Sequence, residues 1–151
     1  QKLYYAAFDE ILSDPHAFSD PVQELNVTDG REGYLEMEAI YRVKGKNSVT
    51  WANTYFHELN AIQELKVDVL EAGEYAVTLR ALGVPAETRI RFEAGASSNE
   101  VDLVQGKKFH PIGRVCLDAG EQTFAFTLLE TADLEGVGKM GLYSLSLKKT
   151  N

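Results

Sequence analysis

The residues best equipped for chemistry lie together in one stretch, Thr50-Trp51-Ala52-Asn53-Thr54-Tyr55-Phe56-His57. It holds the chain's only tryptophan, and its spacing suits neither a regular helix nor a regular strand. An aromatic ring can cover the apolar C–H face of a pyranose, while amides and carboxylates bond the hydroxyls. Trp51 and Tyr55 are therefore candidates for stacking. Asn53 and His57, with Asn99 from a later loop, are candidates for hydrogen bonding, and the loop at 131–141 is a candidate neighbour. The same residues have a structural alternative. Trp51 and Phe56 would fill the core with Tyr55 at its rim, because large aromatic side chains bury readily.

Catalytic patterns are weak by comparison. His16, His57 and His110 are far apart and form no HxH or HExxH metal motif. Nothing has the form of a nucleophile elbow, and Gly136-Val137-Gly138-Lys139 is too short for a phosphate-binding loop. Two carboxylates could meet in space for glycoside hydrolysis, but 23 acidic residues make that pairing cheap to assert. The reading is therefore not an enzyme. Asn26-Val27-Thr28 is a glycosylation sequon, relevant only in a eukaryotic secretory setting.

Several elements are needed to hold such a site. Residues 3–12 have helical spacing, with Leu3, Ala7, Ile11 and Tyr4, Phe8, Leu12 on adjoining stripes. Pro15 and Pro21 keep the following stretch irregular, so 13–33 reads as a connector. From Tyr34 the period becomes two. Leu35, Met37, Ala39, Tyr41 and Val43 alternate as one half-buried strand. Further strands are expected around Leu65–Val69, Tyr75–Leu79, Ile90–Phe92, Val101–Leu103, Phe109–Leu117, Phe124–Leu128 and Leu145–Leu147. Two turns repeat one design, Leu70-Glu71-Ala72-Gly73-Glu74 and Leu117-Asp118-Ala119-Gly120-Glu121. Each reads as the turn of an antiparallel hairpin, where glycine reaches positive φ freely. Eight or nine strands predict an all-β, antiparallel β-sandwich of jelly-roll-like form with one short N-terminal helix. Residues 1–33 would be helix and connector, and 34–151 the sandwich domain.

Composition narrows the partners. The 151 residues fit one domain, and a formal charge of −8 sets the chain against phosphate backbones and anionic membranes. No nucleic acid and no membrane partner is expected. No apolar run approaches the roughly 20 residues of a membrane span. The single cysteine, Cys116, lies in the apolar run Val115-Cys116-Leu117 and reads as packed and inert.

The stretch Val69 to Arg80, a strand, an Ala-Gly-x-Tyr turn and an alternating strand ending in arginine, resembles the carbohydrate-binding modules of the family 6 and 35 type. Ile112 to Gly120 resembles their final hairpin, and Leu142-Tyr143-Ser144-Leu145-Ser146-Leu147 their closing strand. The likeness spans roughly residues 34–149. It implies a jelly-roll accessory domain of a bacterial glycosidase or sulfatase, secreted, periplasmic or on the cell surface. Such a domain binds a polysaccharide or oligosaccharide beside an adjacent catalytic domain. Those modules often open with a Glu-x-Glu strand that holds a structural calcium ion, and Glu36-Met37-Glu38 matches it. Carboxylates two apart on a strand share a face, so both could meet one hard cation. The family usually adds an acidic residue near the closing strand; this chain has Tyr143 and Ser144 there. The alternative from another class is a structural or interaction sandwich that packs on a neighbouring domain and binds no sugar. An exposed apolar patch around Leu3, Tyr4 and Phe8 would favour it.

Overall fold

The computed structural model describes residues 22–27, 31–37, 39–50 and 53–150. The helix expected at 3–12, Glu38 and Trp51 lie outside the described residues. Within them the chain is a two-sheet β-sandwich, as the alternation predicts. The larger sheet contains β1 (Val22–Leu25), β3 (Arg42–Lys44), β6 (Ile62–Val69), β8 (Thr88–Ala94), β9 (Ser97–Leu103) and β11 (Gly120–Thr131). Its order is β1-β6-β11-β8-β9, with β3 also paired to β6. The smaller sheet contains β2 (Glu32–Glu36), β7 (Gly73–Leu82), β10 (Phe109–Leu117) and β12 (Gly141–Lys149), in the order β10-β7-β12-β2. A ribbon of β4 (Asn47–Val49) and β5 (Thr54–Phe56) stands apart, and one short helix, α1 (Leu134–Val137), interrupts the last long loop.

The period-two pattern explains the layers. In β8 the side chains of Ile90 and Phe92 point inward and Arg89 and Arg91 outward. Leu79, Val77, Leu145 and Leu147 face them from the smaller sheet, all buried. Phe92 meets Phe124 edge-on at 5.6 Å between centroids, and Phe126 at 4.9 Å. Each such ring taken from water contributes roughly 1.5–3 kcal/mol. Phe56 is also in the core, as the structural alternative for the 50–57 stretch requires.

Four expectations need correction. The turns at Gly73 and Gly120 do not close hairpins. β6 and β7 belong to different sheets, and so do β10 and β11. Each turn is an arch that carries the chain across the core. The arches lie side by side, with Leu117 opposite Gly73 and Gly120 opposite Val69. Gly120 has φ +107°, whereas Gly73 is not among the positive-φ glycines. Secondly, the run from Tyr34 to Val43 is two strands in two sheets, because the chain turns after Glu36. Thirdly, the connector contains β1, which pairs parallel to β6, so the larger sheet is mixed. Gln23 holds β1 to β2 by donating to the Glu36 carbonyl at 2.8 Å and accepting from its N–H at 2.7 Å. Finally, twelve strands are present among the described residues where eight or nine are expected.

Candidate functional site

Register places two rows of four residues side by side across the outer face of the smaller sheet. In one row Phe109 stands opposite Arg80, Arg80 opposite Ser144, and Ser144 opposite Glu36. In the next, Pro111, Thr78, Ser146 and Tyr34 are neighbours in the same way. Cross-strand partners point to one face, so each row is a line of outward groups. Two of them are large aromatics left open: Tyr34 is 63% exposed and Phe109 58%. They occupy the two edge strands. Between them lie hydroxyls and charges, the polar groups a sugar ring requires.

The polar members are ordered. Glu32 accepts from the Tyr34 hydroxyl at 2.8 Å and from Ser146 Oγ at 3.1 Å. Those two bonds hold the Glu32 carboxyl below the usual carboxylate range, and the same bond pushes the Tyr34 phenol up. The Arg80 guanidinium lies 5.8 Å from the centre of the Tyr143 ring, within cation–π range. Tyr143 is the bulged residue of β12, since the register with β7 shifts between Leu142 and Ser144. A Cβ on Gly141 would come within 2.8 Å of that ring, so the glycine lets the tyrosine lie flat.

The β4–β5 ribbon meets the same end of the sandwich. Ser48 pairs with Tyr55, and the His57 ring bonds Ser48 Oγ through Nε2 at 2.6 Å. A Cβ on Gly138 would be 3.0 Å from the His57 ring, which places His57 beside the 131–141 loop. His57 is exposed, Tyr55 half-buried and Asn53 buried. The Asn53 backbone is tied to Thr50, whose Oγ accepts from its N–H at 2.9 Å. Tyr55 and His57 thus share a rim. Asn99 does not join them. It stands opposite Phe92, which is opposite Phe126, which is opposite Gln63, the residue that donates to Asn47 of the ribbon. Three strand spacings separate Asn99 from Gln63, about 14 Å. Asn99 instead bonds the Arg114 carbonyl at 3.3 Å, bridging β9 to β10.

Glu36 is exposed, and Ser144 rather than a carboxylate stands opposite it. Among the described residues no three His, Cys, Asp or Glu side chains converge. Calcium prefers six to eight oxygen ligands, and Glu38, the second carboxylate expected beside Glu36, lies outside the described residues. Cys116 is exposed rather than packed, because its position in β10 alternates outward between Val115 and Leu117.

The outer face of the larger sheet offers a contrast. Four of its cations are engaged: Arg42 with Glu64, Lys66 with Glu121, Arg89 with Asp102 and Arg91 with Glu100. A groove of about 510 Å³ opens at its end, lined by Leu59, Thr88, Arg89, Asp102, Glu130 and Thr131 among others. The Arg89–Asp102 pair and the Thr88–Thr131 hydrogen bond, 3.0 Å each, already join its walls. It has volume but no aromatic surface, so the smaller sheet is the better candidate.

No protein-family model matches the chain, and no curated protein does. Solved structures do. A family 35 carbohydrate-binding module from Clostridium thermocellum superposes with a TM-score of 0.55 at 17% identity, covering 80% of this chain and 100% of that one. A Podospora anserina β-(1,4)-mannanase carrying such a module gives 0.59 at 15% identity over 80% of this chain and 28% of that one. The insecticidal delta-endotoxin Cry8Ea1 from Bacillus thuringiensis gives 0.67 at 11% identity over 88% and 26%. The chain thus spans about a quarter of the mannanase and endotoxin chains and the whole of the isolated module. The fold is that of carbohydrate-binding modules of the family 6 and 35 type. A β-sandwich of the same kind occurs within the endotoxin.

Proposed function

We propose that this chain is a non-catalytic glycan-binding module, and that it binds through the outer face of the smaller sheet and the adjoining rim. The observation that carries the reading is the pair of open aromatics, Tyr34 and Phe109, at the edges of a face of hydroxyls and charges. An open aromatic ring beside ordered hydroxyls and charges is the combination that a pyranose needs, a flat apolar face and hydrogen-bonding groups at its edge. Phe109 and Tyr34 stack on sugar rings, and Thr78, Ser144, Ser146 and Glu36 bond hydroxyls. Tyr55 and His57 extend the surface, with Trp51 as the further stacking residue from the same stretch. The partner is a polysaccharide or oligosaccharide. In a secreted or cell-surface protein such a module would hold glycan near an adjacent catalytic domain and raise its local concentration.

A glycan-array screen, run with and without a chelator, tests this directly. Binding to at least one glycan class is expected, and a blank array overturns the reading. Phe109→Ala and Trp51→Ala should each lower affinity about tenfold, the equivalent of roughly 1.4 kcal/mol. A chelator-sensitive signal that Glu36→Gln also abolishes would support calcium at Glu36 and Glu38; an insensitive one removes it.

The second reading, an interaction sandwich, rests on a different patch. Leu59 and Val104, in loops, and Leu134, at the start of α1, are 46%, 51% and 41% exposed. If that patch packs on a neighbouring domain, Leu59→Asp and Val104→Asp would disrupt the contact and leave glycan binding intact.

A further inference from the structure

The groove at the end of the larger sheet is a cavity that glycan binding leaves unused. Its volume, about 510 Å³, lies within the range of small-molecule sites. Three carboxylates and one guanidinium line it: Glu87, Asp102, Glu130 and Arg89. Arg89 donates to Asp102 at 3.0 Å, so that pair satisfies itself. Glu87 and Glu130 have no cation within ion-pair distance among the described residues. A β-bulge sets Glu130 in place: the register of β11 on β8 shifts between Leu128 and Glu130, which brings Glu130 opposite Arg89. Glu87 directly precedes Thr88, and Thr88 stands opposite Thr131, so the two free carboxylates start from backbones about 8 Å apart. Leu59, 46% exposed, and Ala132 supply an apolar wall. The loop carrying Leu59 is pinned at the bulge, because the next residue, Asn60, donates its N–H to the Leu128 carbonyl at 2.7 Å.

The lining decides which ligands fail. It offers no aromatic ring for a sugar to stack on. An anion would meet two carboxylates that nothing neutralises. A bare divalent ion needs converging oxygen ligands, and among the described residues no three His, Cys, Asp or Glu side chains converge. A neutral apolar molecule would take water from Glu87 and Glu130 and return no hydrogen bond. An organic cation with an aliphatic body and more than one charge meets every condition. We propose that the groove binds a short aliphatic polyamine, with one ammonium at Glu87, another at Glu130 and the methylene chain along Leu59 and Ala132. Each ammonium brings N–H donors, and a charge-assisted bond to a carboxylate is roughly twice as strong as a neutral one. A methylene stem lies along apolar surface while its charged ends stay wet, as a lysine stem does. Unpaired carboxylates occur elsewhere on this sheet, Glu93 among them; Glu87 and Glu130 differ in lining one concavity with an apolar wall. The site lies apart from Tyr34 and Phe109, on the other sheet, and does not depend on the glycan-binding reading.

The test is a titration of the isotope-labelled chain with spermidine, putrescine and butylamine, followed by amide NMR signals. Spermidine and putrescine should shift residues 87–89, 102 and 130–132 to saturation, with a dissociation constant of about 1 mM or below. Butylamine, with one ammonium instead of two, should bind at least about fivefold more weakly. Glu87→Gln and Glu130→Gln keep side-chain shape at exposed positions and should each weaken putrescine at least about fivefold. Glu93→Gln removes an exposed carboxylate outside the groove and should leave the affinity unchanged. The signal should persist at about 0.15 M salt, where loose attraction between an acidic surface and a polyamine is largely screened. Shifts scattered over the acidic surface, loss of all binding at that salt, or a Glu93→Gln effect as large as that of Glu87→Gln would each mark diffuse attraction and overturn the inference. Equal affinity for butylamine and putrescine overturns it too, since one carboxylate would then suffice. None of these variants alters Tyr34 or Phe109, so glycan binding stands or falls separately.

Discussion

Gly33 shows how much a single residue can decide. It is buried in β2 between the outward Glu32 and Tyr34, and a Cβ there would lie 2.8 Å from Leu25 Cδ1 and against Val27. β1 and the chain after it pack directly onto its backbone. Gly33→Ala should cost about 1–3 kcal/mol through overpacking, read as a lower urea midpoint. Phe109→Ala is the opposite case. Its side chain is 58% exposed, so the stability change should stay within about 0.5 kcal/mol while glycan affinity falls. A variant that unfolded as readily as Gly33→Ala would show that Phe109 is structural. Measuring both properties on both variants separates a residue that builds the face from one that uses it.

The arches are the elements on which the sandwich turns. The Tyr75 side chain is buried at the start of β7, and its hydroxyl donates to the Glu71 carbonyl inside the first arch. Tyr75→Phe keeps the ring and removes that bond, so about 0.5–1.5 kcal/mol of stability should be lost in urea titration. A neutral result would mean that the arch is held by strand pairing alone. The alternation of Tyr75, Val77 and Leu79 made β7 legible in the sequence, as did the same pattern in β6, β8, β11 and β12. Alternation states which face is buried; it does not state which strand lies next door. The Ala-Gly-Glu turns therefore suggest hairpins in the sequence, although they join strands of different sheets. The site was legible only in part for the same reason. Tyr55 and His57 stand close in sequence and share a rim. Tyr34, Arg80 and Phe109 come from three strands far apart in the chain, and only the register of β2, β12, β7 and β10 brings them onto one face. An arginine at the end of β7 was visible as part of the Val69-to-Arg80 pattern, but its lack of an ion-pair partner is a fact of three dimensions.

At the scale of the whole molecule, acidity should act on stability in two separate windows. His110 is buried at the start of β10, and its Nε2–H donates to the Lys107 carbonyl at 2.9 Å, closing the turn that presents Phe109. Burial holds its pKa below the ordinary value, against the smaller opposing effect of that hydrogen bond. The unfolded chain, with a histidine pKa of about 6.5, then binds more protons than the folded chain as pH falls below that point. His110 contributes its full stabilisation above about pH 6.5 and loses it progressively as pH drops toward its folded value. Glu32 behaves alike in a lower window. Its carboxyl is held down by Tyr34 and Ser146, so its contribution is complete above about pH 4.3 and fades below it. Between pH 7.5 and 5.5 only the histidine window is open. Urea midpoints over that interval should fall for the wild-type chain and stay nearly level for His110→Gln, which keeps a neutral amide donor at both pH values. Parallel slopes for the two proteins would show that the turn beneath Phe109 is indifferent to protonation, and would assign the pH dependence to exposed groups elsewhere.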